Sequence, residues 1–161
     1  MSDPYKPLKD AFSRFATGVA LAGCVGPDGK PVAITVNSFA SVSLAPPLVL
    51  WCIERRTSSF PAFMRADSYS INVLRADQQH LSERYALRAP EPFAPEEYEI
   101  WETGAPVLKD CLAAFDCRVV SRHEAGDHVI MVAEVLKFRA AAGRPLLYFA
   151  RRYATGPEIE E

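Results

Sequence analysis

The residues with the clearest chemical potential sit in one run, Arg55-Arg56-Thr57-Ser58-Ser59. Two guanidinium groups and three hydroxyls in succession suit a phosphate. Arginine supplies charge and paired N–H donors, and hydroxyls add further hydrogen bonds. Phe60 to Ala66 follows as a short predicted helix, with Pro61 in the first turn, where proline is tolerated, and Thr57, Ser58 or Ser59 as the N-cap. A helix start places unpaired backbone N–H groups on the same side. An ordinary capped helix with two solvated arginines fits the same residues. A second polar group precedes it: Thr35, Asn37, Ser38 and Ser41, with the backbone of Val36 between them. His128 opens a strand after the turn Ala125-Gly126-Asp127, a place where histidine is more often a structural hydrogen-bonder than a reacting group. No Ser–His–Asp or Cys–His arrangement can be read, and no G-x-G-x-x-G follows a strand.

Strands must position these groups. Val32 to Asn37 alternates strictly, Val32, Ile34 and Val36 on one face and Ala33, Thr35 and Asn37 on the other, the period of a half-buried strand. With Val19 to Val25 and the turn Gly26-Pro27-Asp28-Gly29 it predicts a hairpin. The hydroxyl-rich run Ser38 to Ser43, interrupted by Phe39 and Val42 and stopped by Pro46 and Pro47, suits either a ligand edge or a plain barrel loop, and Leu48 to Ile53 reads as a strand buried on both faces. Tyr69 to Leu74 reads as a strand whose Asn72 bonds backbone, and Asp77 to Tyr85 as a helix capped by Asp77. Cys111 to His123 and His128 to Phe138 form a long hairpin, Ala113, Phe115, Cys117 and Val119 sharing one face and Val129, Met131, Ala133 and Val135 another. Leu146 to Phe149 is a last short strand, with fraying expected after Tyr153. Leu8 to Ala16 has helical apolar spacing at Leu8, Ala11, Phe12 and Phe15 and is expected to cap one end of a barrel. Leu87 to Thr103 is an irregular excursion whose Phe93, Tyr98 and Trp101 need burial, as either a mobile lid or a rigid flap. Six or seven short strands and few helices predict a mainly β (α+β) fold, an antiparallel barrel with peripheral helices.

A chain of 161 residues is expected to be a single domain, 1–161. Its net charge of −2 gives no electrostatic case for nucleic acid or an anionic membrane. No apolar run approaches the ~20 residues that span a bilayer, and MSDPYKPLKDAF lacks the order of a signal peptide. Cys24, Cys52, Cys111 and Cys117 lie in apolar segments without C-x-x-C spacing, which predicts buried reduced thiols and a cytoplasmic protein. His123 and His128 lack the partners of a metal set, so no metal site is expected.

The order T-x-N-S-F-x-S-V-S-L-x-P-P-L-V-L, then a basic pair and a hydroxyl cluster, resembles the flavin reductase family. The resemblance continues in Tyr69–Leu74, Gly104–Leu108, Ala125–His128 and Pro145–Phe149, and so runs from about Phe12 to Tyr153 in the family's order. It implies a Greek-key split β-barrel that binds FMN, forms a homodimer, and transfers hydride from NADH or NADPH to FMN or FAD, supplying reduced flavin to a partner monooxygenase. A flavin-binding or electron-transfer protein without nicotinamide turnover is the alternative. A haem or pyridoxal-phosphate binder on the same barrel is a third.

Under the resemblance, Arg56, Thr57, Ser58 and Ser59 hold the flavin phosphate, and Thr35, Val36, Asn37, Ser38 and Ser41 address the ring edge. Phe39, Val42 and Cys52 offer apolar contact to the ring. Arg84, beside Tyr85, matches a basic-aromatic pair common in the family, and His128 matches its active-site histidine near the nicotinamide. The excursion departs from the family's commoner glycine-rich version.

Overall fold

The computed structural model describes residues 3–87 and 92–160. The hairpin predicted at the Gly26–Gly29 turn forms between β2 (Ala20–Val25) and β3 (Pro31–Val36). Gly26 N–H donates to Lys30 O at 2.8 Å and Gly29 adopts φ +79°, a conformation only glycine enters without strain. The next strands are β4 (Ala40–Leu44), β5 (Pro47–Glu54) and β6 (Ser68–Val73), then β9 (Ala113–Ala125) and β10 (His128–Ala140). Together they form one antiparallel sheet in the order β3-β2-β6-β9-β10-β5-β4. The sheet curls around a core, but its edges β3 and β4 do not pair, so the barrel stays split there. A smaller sheet joins β1 (Thr17–Gly18), β11 (Leu146–Phe149) and β12 (Arg152–Thr155), and β7 (Tyr98–Ile100) pairs with β8 (Pro106–Leu108).

Alternation decides which residues meet inside. Ala20, Ala22 and Cys24 of β2, Ile71 of β6, Cys117 of β9 and Val129, Met131 and Ala133 of β10 point into the barrel. Trp51 fills its middle, edge-on to Phe63 (4.9 Å) and Tyr69 (5.8 Å). The opposite faces of β2 and β3 give Leu21 and Ala33 to a second core, completed by Leu81 and Tyr85 of α3 (Gln79–Tyr85) and by Phe93 and Val107.

That second core shows how the excursion is held. Buried Asn72 accepts the Leu108 N–H (2.8 Å) and donates to Leu21 O (3.1 Å), the structural role expected of it. Buried Asp116 accepts the Thr103 N–H at 3.0 Å, and Ser70 donates to Pro106 O. A Cβ on Gly23 would sit about 3 Å from Ser70 Oγ, Phe93 and Pro106 O, so only glycine lets this layer approach. Residues 92–103 therefore form a fixed flap; the part of the excursion at 88–91 lies outside the described residues.

Several expectations are corrected. The N-terminal helix, α1 (Lys6–Phe12), ends before Phe15 and buries none of its residues, so it does not cap the barrel as expected. The polar run Ser38 to Ser43 leads into β4, a mostly exposed edge strand not expected from the sequence. In β5 only Val49, Trp51 and Ile53 are buried; Leu48, Leu50 and Cys52 on the other face are half-covered, so the strand is not buried on both faces. Asp77 is not a cap: it lies in a 3-10 turn, Ala76–Gln78, and pairs with Arg75. The chain end is ordered beyond Tyr153, with Gly156 N–H on Pro145 O (2.9 Å) and Ile159 paired to Gly143.

Candidate functional site

Two adjoining cavities lie beside the split. The larger, about 830 Å³, is lined by Ile34, Thr35, Glu54, Arg56, Thr57, Ser58, Ser59 and Tyr85–Leu87. The smaller, about 220 Å³, is lined by Ile34–Ser38, Cys52–Glu54, Thr57 and His128. They share Ile34, Thr35, Glu54 and Thr57. On the other side of Val36–Ser38 a third, more apolar cavity of about 460 Å³ reaches Phe15 and Phe39.

Local geometry explains each wall. Ser38 Oγ accepts the Cys52 N–H (2.9 Å) and donates to Cys52 O (3.2 Å), tying the end of β3 to β5 across the split. Thr35 Oγ1 donates to Ser82 O at 2.6 Å, which fixes α3 against β3. After β5 the chain turns as the Thr57 N–H and hydroxyl both donate to Glu54 O. It then enters α2 (Phe60–Arg65), with Ser59 at the N-cap position. The expected hydroxyl cap is absent: Ser59 is already in helical conformation and its side chain makes no cap bond. Arg122 Nη2 donates to Phe63 O (3.1 Å) and also to Ala66 O, holding the far end of α2 against β9.

Charge is distributed unevenly. Arg55 pairs with Glu124 (3.1 Å) and Arg84 with Glu97 (2.9 Å), whereas among the described residues Arg56 forms no salt bridge. The cavity wall of Arg56 and three hydroxyls thus fits an anionic phosphate, with an uncommitted guanidinium to meet it. At the smaller cavity His128 Nδ1–H donates to Asp127 Oδ1 (2.8 Å). That bond holds the Asp127 carboxyl below its usual range. With Nδ1 as donor, Nε2 of the neutral ring is an acceptor.

The structure brings Thr35, Val36, Asn37, Ser38, Cys52, Arg56, Thr57, Ser58, Ser59 and His128 to these two cavities. Ser41 and Arg84 are not brought there. Ser41 lies on exposed β4 opposite Val49, and the Arg84 guanidinium is spent on Glu97 and lies 5.7 Å over the Tyr85 ring. Cys52 is half-buried, unlike the other three cysteines, and all four are free thiols. Sequence reasoning missed Glu54 and the Tyr85–Leu87 wall. Glu54 had one signal, a lone carboxylate ending an apolar strand directly before the basic pair.

This open barrel, with a polar double cavity at its split edge, belongs to a recognised class. A flavin reductase like domain matches residues 12–157, and the chain belongs to that family. It is 44% identical over 143 residues to the FMN reductase (NADH) SmoA of Agrobacterium fabrum, covering 89% of this chain and 81% of that protein. It is 34% identical over 162 residues to HsaB, the reductase subunit of a flavin-dependent monooxygenase of Mycobacterium tuberculosis, covering 99% and 85%. The structure superimposes on BorF, the flavin reductase component of a bacterial two-component tryptophan halogenase, with a TM-score of 0.87 and 34% identity over 96% of this chain and 99% of that one.

Proposed function

We propose that this protein is an NAD(P)H:flavin oxidoreductase that takes hydride from NADH and supplies reduced FMN or FAD to a partner monooxygenase. The observation that carries the reading is the pair of adjoining cavities, one bordered by Arg56–Ser59 and the other by Asn37–Ser38, Cys52 and His128, in a chain of this family. The relatives named above as NADH-dependent and as oxygenase reductase components support the donor and the partner. Bound flavin would supply the hydride acceptor. The protein's share is binding, orientation and exclusion of water. Arg56, Thr57, Ser58 and Ser59 hold the phosphate, while Asn37, Ser38 and the backbone around Val36 address the ring edge.

His128 is a positioning residue for the nicotinamide in this reading. Its bond to Asp127 turns Nε2 into an acceptor suited to the carboxamide N–H of the donor. Hydride transfer to flavin needs no proton from it. The protein acts as a homodimer, supported by the exposed apolar face of α1 and the half-covered outer face of β5. Its free thiols suit a reducing, cytoplasmic compartment.

Steady-state NADH oxidation with added FMN or FAD tests the activity, and absence of turnover with both flavins sinks it. His128→Ala should raise KM for NADH by roughly three- to tenfold, the cost of about one neutral hydrogen bond. Flavin affinity should be unchanged, and His128→Asn should recover part of the loss. If both variants instead lost about 10²–10⁴ in kcat and one limb of the pH–rate profile, His128 would be a general acid.

A further inference from the structure

The ladder between β5 and β10 ends at the smaller cavity. Its last pair sets Glu54 directly opposite His128, and the Arg55 N–H on Asp127 O (3.0 Å) holds that register one residue further. Opposed residues of a sheet share a face, with Cβ atoms about 4.5–5.5 Å apart. The face here is the outer one, because Val49, Trp51 and Ile53 of β5 and Val129, Met131 and Ala133 of β10 take the inner positions. Glu54, Cys52 and His128 therefore line the same cavity. The charges around Glu54 are engaged elsewhere. Arg55 pairs with Glu124 and His128 with Asp127. Among the described residues the Glu54 carboxylate has no salt-bridge partner, and the bonds from Thr57 end on its backbone carbonyl. A half-buried negative charge thus borders the cavity with no cation of the chain paired to it, and partial burial strengthens its field over that of a charge in open water.

That charge bears on the proposed reaction. When hydride passes, the C4–H bond of the dihydronicotinamide breaks with its electron pair and an N–H bond forms at flavin N5. The donor ring goes from neutral to cationic and the flavin ring from neutral to anionic. A carboxylate fixed beside the donor ring attracts a charge that is absent from the substrate and grows along the reaction. It therefore holds the transition state and the oxidised donor more strongly than the reduced donor. A carboxylate beside the flavin ring would do the reverse. Cross-strand pairing with His128 puts Glu54 next to the donor.

We infer that Glu54 stabilises the positive charge that develops on the nicotinamide ring as hydride leaves it. This rests on the reading of His128 as the residue that positions the nicotinamide.

The test removes the charge and keeps the shape. Glu54→Gln is compared with the wild type and with Glu54→Asp, which keeps the charge on a shorter stem. With FMN present, equilibrium titration gives Kd for NAD⁺ and for tetrahydro-NADH, an unreactive analogue whose ring is neutral. Single-turnover measurement under anaerobic conditions gives the rate of FMN reduction at saturating NADH. Glu54→Gln should weaken NAD⁺ relative to the neutral analogue by about three- to tenfold and slow FMN reduction by a similar factor, the worth of one partly screened charge pair. KM for NADH should stay within about twofold. Glu54→Asp should recover part of both losses, and about 1 M salt should narrow the gap between wild type and Glu54→Gln. A Glu54→Gln variant that keeps the wild-type binding ratio and rate overturns the inference. So does one that weakens both nucleotides equally, which would make Glu54 a plain contact, and one that reduces FMN faster, which would put the carboxylate beside the flavin. The reading of His128 fails separately: His128→Ala would then leave KM for NADH unchanged, whatever Glu54→Gln does.

Discussion

Two segments carry aromatic side chains outside the barrel, and they end differently. In the flap, Phe93 is 2% exposed, packed between Tyr85 and Tyr98, and Trp101 lies under Lys137 (4.9 Å) and Arg139 (5.2 Å). Around α1, Tyr5, Phe12 and Phe15 are 65%, 68% and 79% exposed. Both segments have the composition that calls for burial. The flap finds cover because Ser70, Asn72 and Asp116 anchor its returning strand over β2 and β6. The N-terminal segment is tied to the rest by Ala150 N–H on Ser13 O and by Arg151 with Asp10. Covering a large apolar side chain contributes about 1.5–3 kcal/mol, so this open face forgoes a substantial stabilisation.

The largest expected effect breaks the covered side. Phe93→Ala should cost about 3–5 kcal/mol, because it empties a space between two rings that are themselves fixed. Thermal denaturation measures it. A loss below ~1 kcal/mol would mean that the flap is not part of the cooperative core. The open side should respond differently. Phe12→Asp together with Phe15→Asp should leave the barrel folded and shift the species seen by light scattering from dimer to monomer, with the dimer Kd raised by at least about 100-fold. A double variant that stays dimeric would move the interface elsewhere, with the outer face of β5 the next surface to test.

The same contrast shows what was legible in the chain. Period-two alternation located β3, β9 and β10, but only β10 buries the one face it records, Val129, Met131 and Ala133; β3 and β9 also bury Ala33 and Ala114 on the opposite face, under the second core. The helical period at α1 was also real, but periodicity states that a face needs cover, not where the cover is. Among the described residues no residue of α1 is buried, so the expected packing against the barrel is not made. The site divides similarly. The phosphate wall is contiguous, Arg56 through Ser59, and residue type alone points to it. Glu54 gains meaning only from the pairing of β5 with β10, which sets it opposite His128, and the Tyr85–Leu87 wall from the bond of Thr35 to Ser82 O. Arg84 misled for the converse reason: a guanidinium beside an aromatic suggests an anion, but its anion is Glu97, supplied by the flap.

The smallest effect separates α1's own contacts from those a partner would make. Lys6 donates to Asp10 (2.6 Å) and Lys9 to Asp3 (2.8 Å), and these bonds hold both carboxyls below their usual range. A carboxyl lowered on folding contributes stability above its unfolded pKa, ~3.9, and loses it as pH falls through the lower folded value. These groups are solvent-exposed, so the contribution is small and screened by salt. Hydrogen exchange at α1 amides should therefore quicken by no more than about two- to threefold, beyond the intrinsic change with conditions, on acidification below about pH 4 or on addition of 1 M salt. Amides of β8, bonded to buried Asn72, should not change relative to the barrel. If α1 protection also stays constant through both treatments, its ion pairs do not hold it, and burial against a second copy does. That result would strengthen the dimer reading before any interface residue is altered. A loss of protection much larger than threefold would show α1 held by its charges alone, its aromatic face open in solution as in the single chain.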